Sequence, residues 1–175
     1  DKNGEIYWTK TGTPYLKIFV DKSEGQISNN WFDKDGVNED AAEELSGLDI
    51  DFNFSKPKKL IMKLISLKSD KTSTILDFFA GSGTTGHAVA QLNKEDGGNR
   101  KYILCTNNEN NICEEVTYQR LSNIQEDLPH NLKYFKTQFI EKDDEDLEYA
   151  LLNNVKTLIE LEHAIDLEES DKAVA

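Results

Sequence analysis

The stretch Ser73 to Ala88, STILDFFAGSGTTGHA, constrains the fold of this chain more than any other. Ile75, Leu76, Phe78 and Phe79 follow a β-branched start, which predicts a buried strand of a parallel sheet with Asp77 near its end. Gly81-Ser82-Gly83 predicts a turn, and Thr84, Thr85 and the run His87 to Leu92 predict a helix directly after it. Strand, glycine turn and helix together aim the N–H groups of a first helical turn at an anionic group such as a carboxylate or phosphate. The two glycines let the backbone approach a ligand without a Cβ and take up positive φ. The plainer reading is a turn that only joins a strand to a helix, but Gly-Ser-Gly-Thr-Thr is more than a turn requires.

Gly81, Gly83 and Gly86 also satisfy G-x-G-x-x-G, which on its own points to a dinucleotide such as NAD. A nucleotide-triphosphate loop is excluded, because His87 stands where that motif needs Lys. The fuller string is more specific. DFFAGSGTT resembles the D-P-F-x-G-S-G-T-T motif of amino-methylating DNA methyltransferases, with Phe78 in place of the proline. That resemblance implies S-adenosylmethionine as cofactor. It places Gly81, Ser82, Gly83 and Thr84 along the methionine part, with Phe79, Ala80 and Thr85 beside them. For Asp77 it leaves two roles, fixing the loop or meeting the cofactor's amino group; a bare turn cap is the third reading.

A second stretch, Phe52 to Ile61, carries Ser55 as a candidate N-cap and Pro57 as a first-turn residue. Leu60, Ile61, Leu64 and Ile65 recur at helical spacing, with Lys58, Lys59 and Lys63 elsewhere around the helix. Read alone, this is an amphipathic helix with a basic exposed face. In context, Phe54, Lys56, Pro57, Leu60 and Ile61 resemble the F-x-x-K-P-x-x-L-I element that precedes the glycine motif in methyltransferases of permuted order. The resemblance implies that Phe54, Lys56 and Pro57 close the cofactor pocket.

Lys101 to Thr106 predicts a second strand, with Asn107, Asn108 and Glu109 at its carboxyl end. Nucleotide-like cofactors are commonly held there by an acid on the ribose hydroxyls. The usual methyltransferase acid would fall near Thr106 and is absent. Glu109, Asn107 or Asn108 are candidates for that bond, or the cluster is a helix cap with no ligand role. Ile112 to Leu128 predicts a helix with Ile112, Val116, Leu121 and Ile124 inward, and Leu132 to Ile140 a third strand. TNNENNICEEVTYQRL, with IYWT and ISNNWF near the start, resembles the modification subunits of type III restriction–modification systems. That resemblance spans Ile6 to Ile140 and implies an adenine-N6 DNA methyltransferase.

The remaining segments frame this core. Ile6 to Thr9 and Tyr15 to Val20 predict a hairpin, whose Trp8 and Tyr15 either pack or stack on bases. Trp31-Phe32 anchors an irregular segment. Glu39 to Leu48 predicts a short helix with Ala41, Ala42 and Leu45 inward. Leu147 to Leu167 predicts one long amphipathic helix that packs on the sheet or docks a partner. The expected fold class is α/β: a partial Rossmann-like S-adenosylmethionine-dependent methyltransferase core. A β-hairpin segment precedes it and a C-terminal helix follows. The expected divisions are 1–51, a hairpin and acidic helix following target recognition; 52–140, the cofactor half of the core; and 141–175, an acidic helix and tail, frayed after 167.

Charge and composition limit the activity. Residues 33–51 hold eight acids and one lysine, and residues 141–172 hold twelve acids and three lysines, so a net charge of −13 is concentrated at two places. Six lysines against one acid between Ser55 and Lys71 put the basic charge beside the glycine turn. Most phosphate contacts of a DNA-acting protein would come from outside this chain. The class motif [DNS]-P-P-[YFW], which holds the target amine and stacks on the base, is absent: the three prolines, Pro14, Pro57 and Pro129, are not adjacent. In permuted order that motif belongs upstream of Asp1, so the chain is expected to be the carboxyl-side part of a larger enzyme and inactive alone. Expected partners are DNA, the rest of the methyltransferase polypeptide, a second methyltransferase subunit and a restriction subunit. No membrane partner is expected, since no apolar run approaches a membrane span. Cys105 and Cys113 are too few for a disulfide framework and fit two buried thiols in a cytoplasmic protein. The three histidines have no zinc spacing. The rival readings are a dinucleotide-dependent oxidoreductase and a non-catalytic assembly module.

Overall fold

A computed structural model describes residues 6–16, 32, 35–137, 139–141, 146–163 and 167. The chain divides into two compact units, residues 1–132 and 133–175. The first unit opens on an antiparallel hairpin, β1 (Ile6–Trp8) and β2 (Pro14–Leu16), with Tyr7 opposite Tyr15. The expected continuation of β2 to Val20, the turn after it and Ile27 to Trp31 lie outside the described residues. Helix α1 (Asn38–Ser46) follows. Glu39 and Asp40 suit the positive end of its dipole, and the Asp40 carboxylate accepts the Val37 N–H at 3.0 Å. Ala41 and Leu45 are buried, as expected; Ala42 is exposed, because it falls outside the stripe that meets the core.

Helix α2 (Lys58–Lys68) begins after Pro57, which is the N-cap residue in extended conformation. Ser55 is therefore not the cap; it is buried and bonded elsewhere. Strand β3 (Thr74–Asp77), helix α3 (Thr84–Asp96) and strand β4 (Lys101–Leu104) form a β-α-β unit. The two strands run parallel in register, Ile75 beside Tyr102 and Leu76 beside Ile103. Ile65, Ala88, Val89 and Leu92 form one apolar cluster, against which Ile75 and Tyr102 pack. Ala90, Leu121, Ile124 and Leu128 form the second, with Leu104 against it. α3 contributes to both and is the axis of the unit. Its far end is tied to β4: the Asn93 amide exchanges two bonds with the Arg100 main chain, both 2.9 Å.

Among the described residues, packing covers one face of this sheet. Strand residues alternate between faces, so Ile75 and Tyr102 turn toward the clusters while Leu76 (51% exposed) and Ile103 turn outward. The expectation of a wholly buried strand fails for this reason, and Phe78 and Phe79 beyond its end are exposed too. The expected third strand is also missing: residues 132–137, 139 and 140 have no regular secondary structure. Alternating aromatics suit a strand but do not supply an edge to pair with.

After β4 the chain makes a 3₁₀ turn (Glu109–Asn111), a π-helical segment (Cys113–Tyr118) and helix α4 (Gln119–Asn123). Within the predicted helix, Leu121 and Ile124 are buried, and Ile112 and Val116 half-buried. Cys105 and Cys113 are not joined in a disulfide and are half-buried rather than fully enclosed. In the second unit the expected single helix is two, α5 (Leu147–Asn153) and α6 (Val155–His163). Asn154 separates them, and its side-chain amide donates to the Ala150 carbonyl at 2.8 Å. Glu160 is buried there, paired with Lys133 at 3.0 Å and accepting the Leu167 N–H. Among the described residues no helix is long and apolar enough to cross a membrane.

Candidate functional site

The turn after β3 has the geometry its glycines suggest. Gly81 has φ +51° and Gly83 φ +74°, a region costly for residues with a Cβ. Space alone would not exclude a side chain at Gly81, where a Cβ would meet only the Phe79 carbonyl at 3.8 Å. At Gly83 a Cβ would lie 3.1 Å from the Thr117 methyl and 3.3 Å from its carbonyl. Gly86 serves packing: a Cβ there would come within 2.8 Å of Leu121.

Asp77 fixes this turn from the strand end. One carboxylate oxygen accepts the Phe79 N–H at 3.0 Å, and the other accepts the Thr85 hydroxyl at 2.6 Å. The Ala80 N–H bonds the Cys105 carbonyl at 3.1 Å, which sews the turn to the end of β4. No side chain caps α3, whose N-cap is Gly83 itself. Its first-turn N–H groups therefore stand without a side-chain acceptor of their own.

An open cleft of about 360 Å³ lies at the carboxyl ends of β3 and β4. Phe78, Phe79 and Gly81 line one side; Thr106, Asn107, Glu109, Asn110 and Ile112 line the other. Of the residues expected at a cofactor site, Phe79, Gly81 and Asn107 meet here. The Asn107 side-chain oxygen accepts the Glu109 N–H at 3.3 Å, so the two candidate ribose partners are neighbours. Asn108 is bound otherwise: its side-chain oxygen accepts the Cys113 N–H at 2.9 Å and caps the helical segment. Asn108, Asn110 and Asn111 all have left-handed φ, which Asn tolerates better than bulkier residues.

Phe54, Lys56 and Pro57 are not among the residues lining that cleft. Phe54 is 81% exposed and edge-on to Phe52, and Pro57 is buried. The Lys56 carbonyl accepts the Thr84 hydroxyl at 3.4 Å, which brings the segment to the turn through its main chain. The link that matters there is Ser55, whose hydroxyl lies 2.8 Å from that of Ser82 and 3.2 Å from that of Thr84.

These hydroxyls belong to a buried polar cluster that hydrophobic patterning does not reveal. At its centre is Arg120, 0% exposed. Its guanidinium donates to Thr84 Oγ1 at 2.8 Å, Ser82 Oγ at 3.2 Å, Ser55 Oγ at 3.3 Å and His87 Nδ1 at 3.2 Å. Glu44 of α1 neutralises it at 2.6 Å and also pairs with Lys58. Burial lowers the Arg120 pKa from its ordinary value, and the Glu44 carboxylate opposes that shift. His87 sits between two cations, with Lys58 Nζ 2.9 Å from its Nε2. Burial, followed by the charges of Lys58, Arg120 and His130, pushes the His87 pKa down to about 3, so the ring is neutral at physiological pH. The one sequence signal for this cluster was a set of polar residues on helix faces that otherwise read as core. Among the described residues no group of three or more His, Cys, Asp or Glu could hold a metal ion.

A glycine turn fixed by an acid, a helix start with no side-chain cap and a cleft at the carboxyl ends of parallel strands together mark the chain as an α/β protein with an open site at that edge. The chain belongs to the DNA methylase family: the model for N6 and N4 DNA methylases matches residues 2–118. It is 39% identical over 127 residues to the type III restriction-modification enzyme StyLTI Mod subunit of Salmonella typhimurium. That match covers 68% of this chain and 20% of the relative. It is 32% identical over 155 residues to the type II methyltransferase M.KpnI of Klebsiella pneumoniae, covering 80% of this chain and 37% of that one. The EcoPI Mod subunit of Escherichia phage P1 is 48% identical over 58 residues, or 33% of this chain and 9% of the relative. The chain thus spans about a fifth and over a third of the lengths of the first two relatives. This membership sets aside the dinucleotide oxidoreductase.

Proposed function

We propose that the chain is the S-adenosylmethionine-binding portion of an adenine-N6 DNA methyltransferase of a restriction–modification system. The observation that carries this is the cleft at the carboxyl edge of β3 and β4, which opens beside Gly81 and is lined by Phe79 and Asn107. In a protein of the DNA methylase family, a cleft so placed fits a methyl donor with an adenosine part and an amino-acid part. Phe78 and Phe79 offer apolar surface for the adenine. Asn107 and Glu109 offer polar groups to the ribose hydroxyls. The open space over Gly81 and the first-turn N–H groups of α3 receive the methionine carboxylate. Ser82 and Thr84 contribute main chain, since their hydroxyls are engaged in the buried cluster. The 54–57 segment supports the pocket indirectly, since the Ser55 hydroxyl and the Lys56 carbonyl meet Ser82 and Thr84 of the turn rather than the cleft itself.

The cofactor supplies the methyl group; this chain binds and orients it. The residues that would hold the target adenine amine are not in this sequence, so methyl transfer needs the catalytic motif from elsewhere. Contacts with DNA, with the rest of the methyltransferase polypeptide, with a second methyltransferase subunit and with a restriction subunit belong to that assembly, which acts in the cytoplasm. Titration calorimetry with S-adenosylmethionine, S-adenosylhomocysteine and NAD tests the reading. Heat with the first two and none with NAD is expected. Heat with NAD alone, or with none of the three, overturns it in favour of an oxidoreductase or a non-catalytic module. A second assay follows tritiated methyl transfer to duplex DNA, and the 175-residue chain alone is expected to give none.

A further inference from the structure

We propose that Arg120 is a positioning residue for the cofactor turn, holding its main chain in the binding shape from the side opposite the ligand. This rests on the reading of the cleft as a methyl-donor site. Three observations carry it. First, the guanidinium reaches Ser82 and Thr84, which flank Gly83, and also Ser55 beside the turn. Second, Thr117, from the π-helical segment just before α4, donates to the Gly81 carbonyl at 2.6 Å. The segment 117–120 therefore grips Gly81, Ser82 and Thr84. Third, Arg120 and Thr117 are absent from the cleft lining, while Gly81 is part of it. Their influence on a ligand passes through the turn.

The chemistry suits arginine. A planar fork with five donors can satisfy several oxygens at fixed angles, whereas a lysine ammonium is a compact point charge on a flexible stem. Nε donates to the His87 imidazole, Nη2 to the Glu44 carboxylate, and Nη1 shares its two hydrogens among the Ser55, Ser82 and Thr84 hydroxyls, so three stretches of chain meet on one guanidinium. The shape of the turn is thereby coupled to α1 through Glu44 and to the 54–57 segment through Ser55. A general packing role would affect any ligand equally. A role in shaping the turn affects only the part of a ligand that lies on the turn.

The test compares two ligands on the full chain. S-adenosylhomocysteine carries the amino-acid end that meets the turn, and 5′-methylthioadenosine lacks it. In Arg120→Lys and Arg120→Met, affinity for S-adenosylhomocysteine is expected to fall about tenfold or more, while affinity for 5′-methylthioadenosine changes by no more than about twofold. Equal losses for both ligands, or no loss for either, in variants with unchanged circular dichroism would overturn the proposal. Ser55→Ala removes one guanidinium partner together with its contacts to Ser82 and Thr84, Thr117→Val removes the hydroxyl that donates to the Gly81 and Ile112 carbonyls, and both keep Arg120. They give the same selective loss at smaller size, and they decide the matter if the arginine variants do not fold. Failure of the unmutated chain to bind S-adenosylhomocysteine would instead sink the methyl-donor reading itself, and this role with it.

Discussion

Gly83 and Gly81 both have left-handed φ and differ in their surroundings, so they separate strain from crowding. Gly83→Ala places a methyl against Thr117 as well as forcing a left-handed alanine. Its cost is expected at roughly 2–3 kcal/mol. Gly81→Ala has only the backbone penalty, roughly 1 kcal/mol. Urea unfolding of the two variants checks the order, and an equal loss would contradict the contact with Thr117. His87 sets a pH dependence. Its folded pKa of about 3 lies below the ordinary 6.5, so the unfolded chain binds the extra proton between those values. The stability from the neutral ring is complete above pH 6.5 and is lost as pH falls toward 3, by at most about 1.4 kcal/mol per pH unit. His87→Gln is expected to flatten this part of the stability–pH curve, measured by denaturation between pH 4 and about 7. Identical slopes would mean that the ring is not held neutral by its neighbours.

At the scale of elements, the strand, glycine turn and helix were legible because each follows from local rules: apolar β-branched residues, paired glycines, helical spacing. The hairpin, α1, α2 and β4 were legible for the same reason. The third strand was not, since Tyr134, Phe135, Phe139 and Ile140 gave the pattern but no neighbour. The break at Asn154 was hidden because Leu151, Leu152, Val155, Leu158 and Ile159 keep helical spacing across it. The Arg120 cluster was hidden because pattern reading treats a polar residue in a helix as solvent-facing. Its bonds to Glu44, Ser55 and Thr84 join positions far apart in sequence. At the cleft, Phe79, Gly81 and Asn107 were found from motif and strand-end logic, while Asn110 and Ile112 required the shape of the 3₁₀ turn. The α1–α4 link makes its own prediction. Glu44→Gln leaves Arg120 buried without its counter-charge, at an expected cost of roughly 2 kcal/mol, reduced because Glu44 is partly solvated. A urea midpoint within error of the parent would show that the ion pair holds nothing.

For the whole molecule, charge decides what the chain does alone. A net charge of −13 opposes a polyanion, and the lysines of α2 are too few to outweigh it. Lys63 is moreover paired with Asp35 at 3.0 Å. A gel-shift assay at about 0.15 M salt is expected to show no retardation of duplex DNA by this chain. Retardation would mean that the basic surface beside the turn is a nucleic-acid site in its own right.

The exposed Leu76 and Ile103 of the β3–β4 sheet have a consequence for handling the purified polypeptide. Leu76 and Ile103 form a small oily plateau, and mutual repulsion between strongly negative molecules keeps such plateaus apart. Added electrolyte shortens the reach of that repulsion. Light scattering should therefore rise with sodium chloride, opposite to the behaviour of a protein that clumps through opposite charges.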